Sequence, residues 1–226
     1  MHIPDGYLSP QTCAVMYAAC IPFWITAGRK LKHKLAARFI PLLSIFSAFS
    51  FVIMMFNIPV PGGTTAHAIG SVLMAVLLGP WAAVMGVSAA LLIQALFFGD
   101  GGILSFAANA FNMAVIMPFT GYYTWKLLNS IGTGRAINAA LAGYVGINAA
   151  ALFAAVELGI QPVLFHAANG APLYCPYGLS QAIPAMMFAH ISVGGLAEAF
   201  VTGGVLLFLK RSMPEIMVDL RTEAAA

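Results

Sequence analysis

The residues best suited to chemistry stand at the start of the chain, Met1 and His2. A histidine at position two is too large for removal of the initiator methionine, so Met1 is expected to remain with a free α-amine. Such an amine has an ordinary pKa of about 7.7–8.0. With the His2 backbone nitrogen and imidazole Nδ1 it can close fused five- and six-membered chelate rings, putting three nitrogens in one plane. An ion that deprotonates a backbone amide and prefers tetragonal nitrogen coordination suits this set: low-spin d8 Ni(II), or Cu(II). A fourth in-plane donor is still needed, and His67 is the candidate.

Composition fixes the medium in which these groups work. Of 226 residues 61 % are hydrophobic and 8 % are charged, with a net charge of +3. Soluble domains carry about 25 % charged residues, so a soluble enzyme, a nucleic-acid-binding domain and a disordered tail are excluded. The chain is read as an integral membrane protein with no nucleic-acid partner. Cys13, Cys20 and Cys175 have no zinc or disulfide spacing and read as small buried hydrophobes.

A bilayer-spanning helix needs roughly 20 mainly apolar residues. Apolar runs predict helices over about 11–28, 39–57, 80–98, 105–126, 136–158 and 183–209, with a shorter one over 65–79. Residues 1–10 form a polar leader without the positive start of a signal peptide, so no cleavage is expected there. The ten basic residues fall in three clusters, Arg29 to Arg38, Lys126 with Arg135, and Lys210 to Arg221. The positive-inside rule puts all three in the cytoplasm. Only if 65–79 also crosses do the first two clusters share a side. The expectation is a single domain over 1–226, an all-α compact bundle of seven transmembrane helices, N-terminus outside and C-terminus cytoplasmic.

The 65–79 helix would be ~22 Å long at 1.5 Å per residue, against a hydrocarbon core of ~30 Å. Pro59 to Thr65 before it cannot be helical. Irregular backbone at membrane depth survives only inside protein or along a cavity, so an outward-facing cavity floored by the segment bearing His67 is expected. His2, His67, His166, Asp5 and Asp100 share this face with no Lys or Arg, which would attract cations. Glu198 lies near the middle of the last span, where a carboxylate is costly. Its two readings are helix-interface pairing or a protonated hydrogen bond, and a role in gating or in coupling to a partner. His33 reads as a solvated cytoplasmic residue, and Glu157 as interfacial.

Four segments carry a family resemblance: Met1 to Ser9, Gly62 to His67, Asn109 to Met113, and His190 to Ala199. They resemble, in order and across nearly the whole chain, the NikM/CbiM proteins, the substrate-capture components of nickel and cobalt energy-coupling-factor transporters. The resemblance implies a near-planar N4 site from Met1, His2 and His67, with the leader folded back into the bundle. Asp5, Thr65, Asn109, Asn112 and His190 are candidates to hydrogen-bond the ligating groups. The implied substrate is Ni(II), since cobalt-type members usually read Met-His-Ile-Met-Glu-Gly-Phe where this chain has Pro4-Asp5-Gly6-Tyr7; Co(II) for cobalamin synthesis is the alternative. Implied partners are a transmembrane coupling subunit, ATP-binding cassette ATPase subunits and a small accessory membrane subunit, in the plasma membrane of a prokaryote. No phosphate-binding loop, H-E-x-x-H or G-x-S-x-G occurs, so the chain is read as a transporter subunit and not an enzyme. An intramembrane metalloenzyme and a stand-alone metal carrier are the more distant readings.

Overall fold

The computed structural model describes residues 1–32, 39–60, 64–132 and 134–213. His33, Lys34, Arg38, Gly62, Gly63 and Arg221 lie outside the described residues. Ser9 starts the first helix: its Oγ accepts the Thr12 amide at 3.0 Å, and Pro10 needs no amide partner in the first turn. The helix, α1, is Pro10–Lys32, followed by α2 (Phe39–Met54) and a ribbon of β1 (Ile58–Val60) and β2 (Thr64–Ala66). Then come α3 (Ser71–Leu78), α4 (Pro80–Ile93), α5 (Phe106–Ala110), α6 (Met117–Ser130), α7 (Arg135–Gly159), α8 (Gln161–Leu164), α9 (Leu179–Ala189) and α10 (Gly195–Ser212). Three π-helical turns, Gln94–Phe98, Phe111–Ile116 and His190–Gly194, extend α4, join α5 to α6, and join α9 to α10.

Joined in this way, and with α8 continuing α7 to Leu164, the described residues form seven helical rods. Three continuous runs, Pro80–Phe98, Arg135–Leu164 and Leu179–Ser212, are long and apolar enough to cross a membrane, and Phe39–Met54 is a shorter apolar helix. The all-α expectation needs one addition. The segment around Pro59 pairs as an antiparallel ribbon with Ile58 opposite Ala66 and Val60 opposite Thr64.

The helix expected over 65–79 is corrected to Ser71–Leu78, eight residues. Thr65 and Ala66 belong to a strand, and Gly70 turns at φ +75°, a left-handed conformation that only glycine adopts readily. At 1.5 Å per residue α3 is about 12 Å long, and Ser71, Val72, Leu73, Met74, Ala75, Leu77 and Leu78 are all buried. A helix hydrophobic on every side belongs in the centre of a bundle, and α3 packs against α4, α6 and α7. Five other boundaries move by three or four residues. The first helix runs on to Lys32 rather than 28, the second ends at Met54 rather than 57, α6 runs to Ser130 rather than 126, and the last rod spans Leu179 to Ser212 rather than 183–209.

Small residues let α3 approach its neighbours. A Cβ on Gly121 of α6 would stand 2.5 Å from Val72 Cγ2, and one on Gly146 of α7 would stand 2.8 Å from the same methyl and from the Met117 carbonyl oxygen. Overpacking a filled core costs about 1–3 kcal/mol. Gly121→Ala is therefore expected to lower the thermal midpoint in detergent, with Val72→Ala in that background restoring most of the loss. A double variant no more stable than Gly121→Ala alone would show that Val72 is not the obstacle.

Candidate metal centre

The leader folds back into the bundle and is held by its own backbone. Ile3, 2 % exposed, donates its amide to Asn109 Oδ1 at 2.8 Å and accepts Asn109 Nδ2 at 3.0 Å. One side-chain amide thus satisfies both backbone groups of one residue, as a neighbouring strand would. The Ile3 carbonyl also accepts Ser105 Oγ at 2.6 Å and the Gly102 amide at 3.0 Å. Asp5 accepts the amides of Ile103 and Ser105 at 2.9 and 3.0 Å, and the Cys175 amide donates to the Tyr7 carbonyl. Gly101, at φ +85°, lets the 99–104 loop close over this arrangement; a Cβ there would stand 3.0 Å from Asn109 Nδ2 and 3.5 Å from His2 Cδ2.

So anchored, Met1 and His2 meet His67. The His2 and His67 rings stack with centroids 4.9 Å apart and planes 26° apart. The Met1 amine lies 3.5 Å from the Thr65 carbonyl oxygen. Hydrogen-bond direction decides which ring nitrogens are available. Gln94 donates Nε2 to the Phe51 carbonyl at 3.2 Å, so its Oε1 faces His2 Nε2, also at 3.2 Å. An amide oxygen only accepts, so His2 carries its proton on Nε2 and a lone pair on Nδ1. In His67, Nδ1 donates to the Ala68 carbonyl at 3.1 Å, leaving a lone pair on Nε2, which is buried and has no protein partner.

Burial sets the charge state of the leader. It lowers the Met1 amine from its usual value near 8.0 to about 6, although the negative Asp100 pulls the other way. His2 falls to about 3, first through burial, then through the nearby amine charge, with the Gln94 bond opposing. Both groups are therefore neutral at pH 7. Asp100 Oδ1 stands 3.5 Å from His2 Nδ1, and burial raises its carboxyl while the amine lowers it. Among the described residues no three His, Cys, Asp or Glu side chains form a metal-holding group. A cation held here would draw on the terminal amine and main chain as well.

The segment carrying His67 is fixed from two sides. Ser50 Oγ on α2 donates to the Ile69 carbonyl at 2.7 Å. Glu198 on α10 accepts the Ile69 amide at 2.6 Å and the Gly70 amide at 3.0 and 3.2 Å, and Thr202 Oγ1 donates to it as well. The first amides of a helix have no partners within it. Gly70, preceding α3, has no side chain to supply one, so Glu198 does so from another helix, with its carboxylate at the positive end of α3.

The remaining sequence candidates act at a greater remove. Asp5 and Asn109 hold the backbone of the leader, and Thr65 offers its carbonyl to the Met1 amine. His190 is fully buried, with Nδ1 donating to the Met186 carbonyl at 2.8 Å. Asn112 is engaged elsewhere, its amide donating to Glu157 Oε2 at 2.8 Å. That contact also corrects the interfacial reading of Glu157, which is 7 % exposed. His166 lies in an exposed loop with Nδ1 near the Ala167 carbonyl.

A family model described as "Cobalt uptake substrate-specific transmembrane region" matches residues 2–216. The chain belongs to this CbiM family. It is similar to a protein of Rhodobacter capsulatus named "Fused nickel transport protein NikMN", at 57 % identity over 100 % of this chain and 66 % of that protein. It is also similar to "Probable fused nickel transport protein LarMN" of Lactiplantibacillus plantarum, at 53 % identity over 95 % of this chain and 66 % of that protein. The chain thus spans just under two thirds of these relatives' length. A crystal structure of a "Truncated Transition metal Transporter" matches with a TM-score of 0.91 and 58 % identity, covering 93 % of this chain and 99 % of that one.

Sequence reasoning places Asp100 on this face but not beside His2, and it misses Gln94. Gln94 had a signal, because an amide within the apolar run 80–98 is costly unless it is bonded. Its direction came only from the π-helical turn Gln94–Phe98; such turns often occur at functional sites. For Glu198 the expected outcome is local. Leaving a buried amide without its acceptor costs about 1–3 kcal/mol, so Glu198→Leu should accelerate hydrogen exchange at Ile69 and Gly70. Glu198→Gln keeps an acceptor oxygen and should restore most of the protection. Unchanged exchange in Glu198→Leu would remove the carboxylate from this role.

Proposed function

We propose that this chain captures Ni(II) through the Met1 amine, the His2 backbone nitrogen, His2 Nδ1 and His67 Nε2, in a near-planar N4 site. The observation that carries the reading is the pair of available lone pairs. His2 Nδ1 and His67 Nε2 are both left unprotonated by carbonyl partners on the opposite ring nitrogen, and the two rings are stacked beside a neutral, buried terminal amine. Ligating imidazoles commonly donate their other N–H to such groups, which fixes tautomer and orientation. Nickel is favoured over cobalt because a d8 ion gains most from four in-plane nitrogens, one of them an amide. The relatives' names support nickel, whereas the family description names cobalt.

The proposal extends to the transport cycle. The chain serves as the capture component in the plasma membrane of a prokaryote, with seven crossings, the N-terminus outside and the C-terminus inside. A separate coupling subunit and ATPase pair release the metal inward. Support comes from the basic residues. Arg29, Lys30 and Lys32 close α1, and Lys210 and Arg211 close α10, while the loops around Met1, His67 and Asp100 have no Lys or Arg. Uptake that requires ATP-binding partners supports a capture component; uptake by the chain alone would make it a carrier.

The nickel-loaded protein is expected to be diamagnetic and yellow, and a paramagnetic octahedral spectrum would overturn the N4 site. One residue added before Met1, or His67→Ala, should abolish stoichiometric binding. Gln94→Leu should weaken it by about 10–100-fold. Nickel competes with protons for its ligands. Because burial brings the amine to about 6, it competes only below that pH. Calorimetry in several buffers should find about one proton released per nickel above pH 6, from the amide, rising to about two below it. A rise beginning near pH 8 would mean an exposed amine.

A further inference from the structure

We propose that Asp100 is a transient cation position at the mouth of the site, where the hydrated ion is first held before passing to His2. The inference rests on the N4 reading and adds the route inward.

Two acceptors face each other at this point. Gln94 holds the proton of His2 on Nε2, so Nδ1 presents a lone pair, and Asp100 Oδ1 stands 3.5 Å from it. The carboxyl oxygen and the ring lone pair converge on one point, a geometry that a cation lying between them completes. The other oxygen, Asp100 Oδ2, is buried without a hydrogen-bond partner. Neither the 99–104 loop nor the rest of this face holds a Lys or Arg to neutralise it.

Exposure then gives the order of events. The Asp100 side chain is 24 % exposed and that of His2 is 6 %, while His67 is 1 % exposed. An arriving cation therefore reaches the carboxylate before it reaches either imidazole. The loop is tied to the groups it serves, since the Asp100 amide donates to the Gln94 carbonyl at 3.2 Å and the Gly102 amide to the Ile3 carbonyl at 3.0 Å. A carboxylate oxygen can displace one water from the ion and hold it beside His2 Nδ1. As the four nitrogens close around a planar d8 ion, no fifth donor is required, and Asp100 is released.

A group that acts on approach affects association, whereas a resident ligand affects dissociation and geometry. The full chain in neutral detergent is mixed with nickel chloride in a stopped-flow instrument, following the square-planar absorption. Asp100→Asn and Asp100→Ala are expected to slow association about tenfold at low ionic strength. The final spectrum should not change, and dissociation should not become faster. Asp100→Glu should retain most of the rate. At about 0.5 M salt, where screening shortens the reach of a surface charge to a few Å, the wild-type advantage should largely vanish. Equal association rates in wild type and Asp100→Asn overturn the proposal. An altered spectrum with faster dissociation in Asp100→Asn also overturns it, by making Asp100 a resident donor. A wild-type protein without the square-planar band instead overturns the N4 reading on which the proposal rests.

Discussion

The seat of Ile3 on Asn109 is the interaction on which the candidate site depends. A leader of ten residues has little core of its own, and a backbone laid into an apolar bundle is unfavourable unless its amides and carbonyls are bonded. Asn109 answers both groups of Ile3, and Ser105 and Gly102 add to the same carbonyl. With Ile3 fixed, Met1 and His2 have only a short reach and fall beside His67. The site is thus preorganised by a residue that is not itself a proposed ligand.

The same demand for satisfied polar groups orients the donors. A hydrogen-bond chain runs from His2 Nε2, which donates to Gln94 Oε1, through Gln94 Nε2 to the Phe51 carbonyl, and a local carbonyl does the equivalent work for His67. Each leaves one ring nitrogen unprotonated, Nδ1 of His2 and Nε2 of His67. Beneath them, Glu198 replaces the missing cap of α3 and joins the segment of His67 to α10. Movement of α10 against α3 would therefore be felt at His67 through two main-chain amides.

The π-helical turns are the means by which these polar side chains reach their partners. Gln94, Asn112 and His190 each lie in one of the three. A wider turn shifts the helix face by part of a residue step, so a polar side chain can point inward while the flanking turns keep their apolar faces outward. The two orphaned acceptors beside Asn112, its own Oδ1 and Glu157 Oε1, show that such insertion leaves a local imbalance away from the leader as well.

The sequence by itself determined the membrane class, six of the helical segments to within a few residues, and the three residues proposed as ligands. Apolar runs and the spacing of Met1, His2 and His67 are local properties, and the chelate formed by the first two needs no distant partner. It did not determine where α3 begins, because a strand pairing at Thr65 and a cap from Glu198, 128 residues beyond Gly70, are decided by chain segments far apart. Nor could it choose between Asn109 and Asn112. Both are amides on one helix near a predicted site, and only packing directs the first to Ile3 and the second to Glu157. Local spacing specified which donors exist; the tertiary fold decided which nitrogen of each ring is free and which carboxyl group stands beside His2 Nδ1. Hydrogen-bond direction depends on partners that periodicity cannot see.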